Sequence, residues 1–170
     1  MSGTARIAGF GPVADGGCRA LVLGTMPSVK SLQRGQYYGN PQNAFWPILF
    51  ALWGRQAPAA YADRTAFALE RGVALWDVVD SCVRPGSADA DIRSEAPNPI
   101  AGFLAEHPAI THVFTNGKGA YRLLQKHQPE VFAAYPVAAL AATSPAWARP
   151  FAEKLASWAA LRAALEEEKR

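Results

Sequence analysis

Residues 21–46 read LVLGTMPSVKSLQRGQYYGNPQNAFW, and the fold turns on how this stretch divides. With the two residues before it, its first part is Arg19-Ala20-Leu21-Val22-Leu23. That aliphatic run suits a strand covered on both faces, as the central strands of parallel sheets are. Gly24-Thr25-Met26-Pro27 then breaks the strand. A long loop follows, holding Gly35, Gly39, Tyr37, Tyr38, Asn40 and Pro41. Asn43-Ala44-Phe45-Trp46-Pro47 reads as the start of a helix, with Asn43 as its N-cap. Open α/β sheets place ligand sites in such loops, beyond the carboxyl ends of their strands. A packed connector whose tyrosines belong to the core is the competing reading.

The same alternation continues outward. The helix from Asn43 should run to about Trp53 and stop at Gly54, and a second spans Tyr61 to Arg71, closed by Gly72. Val73 to Val79 is another near-continuous apolar run suited to a buried strand. Asp80 to Pro99 reads as polar and irregular, long enough for a functional loop. Asn98 is placed to cap a helix through Phe103 and Leu104 to His107. Thr111 to Thr115 forms a third short strand ending at Asn116-Gly117, and a helix with Tyr121, Leu123 and Leu124 follows. A fourth strand, Val137 to Ala142, ends at Thr143-Ser144-Pro145. The last helix, from about Arg149, carries Phe151, Leu155, Trp158, Leu161 and Leu165 at three- and four-residue spacing, with EEEKR as a solvated end. Met1 to Gly17 is expected to form a strap over the core. Alternating strands and helices imply parallel βαβ units with right-handed crossovers. The expected architecture is therefore a three-layer α/β/α sandwich with a central four-stranded parallel sheet, forming one domain over residues 1–170.

Composition sets bounds on function. Half of the 170 residues are hydrophobic and 18% are charged, which is globular and not disordered. A formal charge of +3 and a pI near 9.0 permit nucleic-acid binding without demanding it. Cys18 and Cys82 form no CxxC motif and no ligand cluster with His107, His112 and His127, so neither a zinc nor an iron–sulfur site is expected. Both thiols read as buried and reduced, which suits a cytoplasmic protein. The N-terminus lacks a signal-peptide pattern, and no apolar stretch approaches the roughly 20 residues that span a bilayer. A monomer is the simplest expectation.

Three strand ends coincide with three unusual loops: Gly24 to Asn43, Asn116-Gly117, and Thr143 to Arg149. In a parallel sheet these lie along one edge and can converge on one pocket. Within that set, GTMPS followed by YYGNPQNAFW resembles the first motif of the uracil-DNA glycosylase superfamily, most closely its hypoxanthine-DNA (deoxyinosine) glycosylase branch. Ala74-Leu75-Trp76-Asp77-Val78-Val79, Ser81-Cys82, Thr115-Asn116-Gly117 and Thr143-Ser144-Pro145-Ala146 extend the resemblance in the family's order, from about Arg19 to Trp158.

The resemblance implies the same α/β/α fold, a DNA substrate containing a deaminated base, and hydrolytic excision without metal or cofactor. Breaking an N-glycosidic bond leaves positive charge on the sugar and negative charge on the departing base, and uncharged donors can stabilise the latter. Relatives that excise uracil place a water-positioning Asn, or an Asp, where this chain has Met26; the deoxyinosine branch is apolar there. In that branch the catalytic burden is carried by an Asn matching Asn43, whose competing role is the helix cap. Asn40 stands where mismatch-specific relatives have a His. Asn116 matches the base-reading Asn, its alternative being a plain Asn-Gly turn residue. Tyr38 matches the aromatic that stacks on the extruded base, though Tyr37 could serve instead. Gly24, Thr25, Met26 and Pro27 match the turn that contacts the base. The run from Thr143 to Arg149 matches the loop that enters the duplex: Ser144 and Arg149 would meet phosphates, Ala146 or Trp147 would fill the vacated stack, and Pro145 is a further DNA-binding residue of the same loop. Trp147 as a core residue remains open here. Asp77 reads as a structural carboxylate, and Ser81 to Ser87 as a segment along the DNA backbone. Lys30, Arg34, Lys118 and Arg122 are further candidates for phosphate contacts.

Overall fold

The computed structural model describes residues 5–167. Its strands are β1 (Arg6–Ala8), β2 (Ala20–Gly24), β3 (Val73–Asp77), β4 (Val79–Val83), β5 (Arg93–Pro97), β6 (His112–Asn116) and β7 (Val137–Leu140). Its helices are α1 (Val29–Arg34), α2 (Phe45–Ala51), α3 (Tyr61–Glu70), α4 (Ile100–Glu106), α5 (Lys118–His127), α6 (Pro129–Ala134) and α7 (Phe151–Glu167). Four strands make a parallel sheet in the order β3-β2-β6-β7, with Val22 opposite Leu75 on one side and Phe114 on the other. Every residue of β2 and β3 is buried, as apolar runs covered on both faces must be.

The period-two alternation of these strands sorts their side chains into two cores. Ala20, Val22, Leu75, Phe114 and Leu140 face α2, α3 and α7, where Phe45, Trp46, Phe67 and Trp158 fill the layer. Leu21, Leu23, Ala74 and Val113 face the other way, onto Phe103 and Leu104 of α4, Leu124 of α5 and Val131 of α6. The result is the three-layer α/β/α sandwich with the four-stranded parallel sheet that the sequence implies.

The segment read as irregular, Asp80 to Pro99, departs from that expectation. It carries β4 and β5, which pair antiparallel with each other, and β1 joins on the far side of β4. Val79, Cys82, Ile92 and Met26 form a small core beneath this second sheet. The N-terminal strap is thus partly a strand; its residues 1–4 lie outside those described, as does the end of the EEEKR tail beyond Glu167. The long loop after β2 also contains a helix. Ser28 accepts from the Ser31 amide at its start, and Gly35, at φ 64°, closes it in the left-handed region.

Two caps differ from expectation. Asn98 does not cap α4 with its side chain: Pro99 is the N-cap, and Asn98 is buried, donating Nδ2 to the Asp77 carbonyl at 2.8 Å. Asn43 stands one residue ahead of the α2 cap, Ala44, yet its Oδ1 accepts from the Phe45 amide at 2.9 Å. Among the described residues no helix is long and apolar enough to cross a membrane.

Candidate active site

The sheet order places β2 between β3 and β6, so the chain's path reverses beside the carboxyl end of β2. A crevice opens at such a point because the flanking connections leave in opposite directions. Here it is a cavity of about 310 Å³, walled by the turn after β2, the ends of β3 and β6, the loop after β7 and the Tyr37-Tyr38 segment. Gly24, Thr25, Met26, Pro27, Tyr38 and Asn43 line it, and so do Asn116, Ser144, Ala146 and Trp147. Asn40 does not. It lines a neighbouring cleft of about 410 Å³ and accepts from the Gln42 amide at 3.0 Å. Pro145 and Arg149 lie outside the cavity on the exposed loop from Pro145 to Pro150.

Asn116 is fixed by both ends of its amide. Oδ1 accepts from the Thr143 backbone at 2.9 Å, and Nδ2 donates to Thr143 Oγ1 at 2.8 Å, so the end of β6 is clamped to the loop after β7. One N–H and one lone pair remain for another partner. The turn role falls to Gly117 instead. Its φ is 87°, and a Cβ there would stand 3.1 Å from Ala142 Cβ. Asn43 spends one lone pair of Oδ1 on Phe45 and lines the cavity wall, where its Nδ2 has no partner among the described residues.

The two tyrosines separate cleanly. Tyr37 is core: it is buried, its hydroxyl donates to the Gly11 carbonyl at 2.7 Å, and Trp46 Nε1 donates to its carbonyl at 2.8 Å. Tyr38 holds a left-handed backbone, φ 54°, which costs a non-glycine residue of order 1–3 kcal/mol and persists only where its surroundings impose it. The Trp46 bond and a 2.9 Å bond from the Gly39 amide to Ser31 Oγ brace it on either side. Its ring lies on Phe45, centroids 4.0 Å apart, and lines the cavity. Its hydroxyl is buried beside Asn116 and Asp77.

Asp77, expected as a structural carboxylate, is part of this site. It ends β3 opposite Gly24, is 4% exposed, and lines the cavity. A Cβ on Gly24 would fall 2.5 Å from Asp77 Oδ1, so the absent side chain is what lets the carboxyl in. Its Oδ2 has no partner among the described residues. Burial, reinforced by the Asp89 carboxylate, pushes it up to about 7 against the pull of Arg84 and the Gly24 amide. Asp89 and Ser87 also reach the cavity, and Thr25 Oγ1 donates to Asp89 Oδ1 at 2.7 Å. Both came from the stretch read as irregular. The signal for Asp77 was present, since it ends a parallel strand as Gly24 and Asn116 do.

Other expectations move. Trp147 is 38% exposed and not core, with Arg149 and Lys154 over its ring at 5.5 and 5.7 Å. Arg84 does not face outward along a DNA backbone: it is buried and donates Nη2 to the Pro27 carbonyl at 2.6 Å, holding the turn after β2. Lys30, Arg34, Lys118 and Arg122 are all exposed. Among the described residues, no three or more His, Cys, Asp or Glu side chains gather as a metal-holding group.

Known proteins resemble this chain in sequence and in fold. The Uracil DNA glycosylase superfamily profile matches residues 10–166. Hypoxanthine DNA glycosylase of Methanosarcina barkeri is 34% identical over 111 residues, covering 65% of this chain and 70% of that protein. The protein of the same name from Methanosarcina acetivorans is 34% identical over 113 residues, covering 66% and 72%. The solution NMR structure of a candidate uracil DNA glycosylase from Methanosarcina acetivorans superposes with a TM-score of 0.80 at 28% identity, covering 95% of this chain and 99% of that one. With a cavity built from the motif blocks and a profile match across nearly its whole length, this chain belongs to the Uracil DNA glycosylase superfamily.

Proposed function

We propose that this protein is a monofunctional DNA glycosylase that flips out a deaminated base, hypoxanthine from deoxyinosine, and hydrolyses its glycosidic bond. The observation that carries the reading is the pairing of two carboxamides, Asn43 and Asn116, across a cavity with an aromatic wall at Tyr38. The named relatives from Methanosarcina support the choice of base.

In this reading Asn43 Nδ2 donates to the base as negative charge gathers on it, and the second lone pair of its Oδ1 orients the attacking water. Preorganised donors of this kind contribute about 3–4 kcal/mol of transition-state stabilisation each. Asn116 reads the base edge with its remaining donor and acceptor. Tyr38 stacks on the flipped base, worth about 1–3 kcal/mol. Gly24, Thr25, Met26 and Pro27 close over the base from below; Met26 offers no atom that could orient water as an amide does. Ser144 and Arg149 meet phosphates while Ala146 and Trp147 occupy the gap left in the duplex. Asn40, in the adjoining cleft, would contact the strand beside the flipped nucleotide. Among the described residues no lysine lines the cavity, so hydrolysis without strand cleavage is the expected outcome.

The test is release of free base from oligonucleotide duplexes containing inosine or uracil. Hypoxanthine release with uracil at least tenfold slower supports the reading. Faster uracil release would reassign the substrate, and binding without release of either base would make the site a silent one.

A further inference from the structure

We propose that Asp77 is the acid that protonates the departing base, an inference that rests on the glycosylase reading above. The group occupies the floor of the cavity at the end of β3, beside the turn that would contact the base. A structural carboxyl at this depth is expected to have both oxygens engaged. Here Oδ2 has no partner among the described residues although the residue is 4% exposed. No cation among the described residues stands within ion-pair distance of Asp77. Gly24 leaves the space the carboxyl needs, since any Cβ there would overlap Oδ1.

These features favour the neutral acid, which has a proton to give. The groups that face it are the Asp89 carboxylate, the Arg84 guanidinium, the Gly24 amide and the hydroxyls of Tyr38 and Tyr37. Asp89 favours the protonated form, while Arg84 works against it; its Nη2 is committed to the Pro27 carbonyl and its buried Nη1 has no partner among the described residues.

The step balances without a co-reactant. The bond from C1′ to the base nitrogen breaks and its electron pair goes to the base. The Asp77 proton moves to a ring nitrogen of that base, so a neutral purine leaves and Asp77 becomes a carboxylate. Water adds its oxygen to C1′, and the proton it sheds restores the acid. Two asparagine amides can hold an anion in place, and a titrating group beside them can also discharge it.

The test is single-turnover hypoxanthine release from an inosine duplex between pH 5.5 and 9. Wild type should be level in acid and fall tenfold per pH unit above the titration of Asp77. Asp77→Asn should be slower by about 10²–10³-fold at pH 6, with a flat profile. It should still bind a duplex carrying 2′-fluoro-deoxyinosine within threefold of wild type, which a merely misfolded cavity would not. Asp89→Asn should move the falling limb of the profile to lower pH, and this arm leaves position 77 untouched. A flat wild-type profile, a falling limb that survives in Asp77→Asn, or an unslowed Asp77→Asn overturns the proposal while hypoxanthine release keeps the glycosylase reading standing. No release by wild type at any pH overturns both.

Discussion

Gly24→Ala puts the close packing at the cavity floor under direct load. The backbone at Gly24 is not in the left-handed region, so an added methyl costs nothing in conformation and everything it costs is steric. That methyl would meet Asp77 Oδ1 at 2.5 Å and the Tyr38 hydroxyl at 3.3 Å. To reach ordinary contact at 3.4 Å the carboxyl must retreat by roughly 0.9 Å. Little room exists for this, because β2 and β3 are wholly buried and the Val78 amide bonds the Gly24 carbonyl at 2.9 Å just beyond the pair. Overpacking of this kind costs about 1–3 kcal/mol. Urea unfolding at pH 7 should register that loss for Gly24→Ala with an unchanged slope. In an Asp77→Ala background the obstacle is gone, and the same substitution should cost under about 0.5 kcal/mol, the difference being the coupling between the two positions. Equal losses in both backgrounds, or none in the wild-type background, would refute the claim that Gly24 exists to admit the carboxyl.

Three further outcomes follow from other parts of the site. Trp46→Phe removes the donor to the Tyr37 carbonyl and should cost about 1–3 kcal/mol in urea unfolding; a loss below a few tenths would mean that this bond does not brace the Tyr38 backbone. Arg149→Ala, on the exposed loop, should weaken DNA binding evenly across sequences and lower the salt slope by about 1 without moving Tm. An unchanged slope would take the loop off the DNA surface. Asp77→Asn should raise stability relative to wild type as pH rises. The folded state holds the acid near 7 while the unfolded chain ionises near 3.8, so wild type loses stability across that interval and levels off above it. Melting curves of the two proteins that stay parallel from pH 4 to 8 would contradict the raised acid.

The sequence carried the sheet because buried parallel strands announce themselves as unbroken aliphatic runs. Leu21 to Leu23 and Val73 to Leu75 have no other place to go. The second sheet left no such mark: β5 reads Arg-Ser-Glu-Ala-Pro, and β4 exposes Asp80 between buried Val79 and Cys82. Short strands of this kind are set by pairing with their neighbours in the sheet, which periodicity does not report. Helix α1 carries its start and stop signals in Ser28 and Gly35, but the glycines and tyrosines around it read as loop. In the cavity, most of the lining named from motifs is where β2, β6 and the loop after β7 end. Asn40 and Asp77 show the limit. One was named by analogy and faces the next cleft, and the other was passed over although it ends a parallel strand as the named residues do. A carboxyl's role depends on what fails to neutralise it, and that is a matter of packing.

The central claim is that Asn43 acts on the base rather than only capping α2. Single-turnover hypoxanthine release from an inosine duplex by wild type and Asn43→Ala, with melting followed in parallel, tests it most directly. Asn43→Ala should lose about 10²–10³-fold in rate, with a stability loss near the roughly 1 kcal/mol of a missing cap. A rate unchanged, or reduced only as far as the folded fraction falls, would return Asn43 to the role of a cap and move the chemistry elsewhere in the cavity.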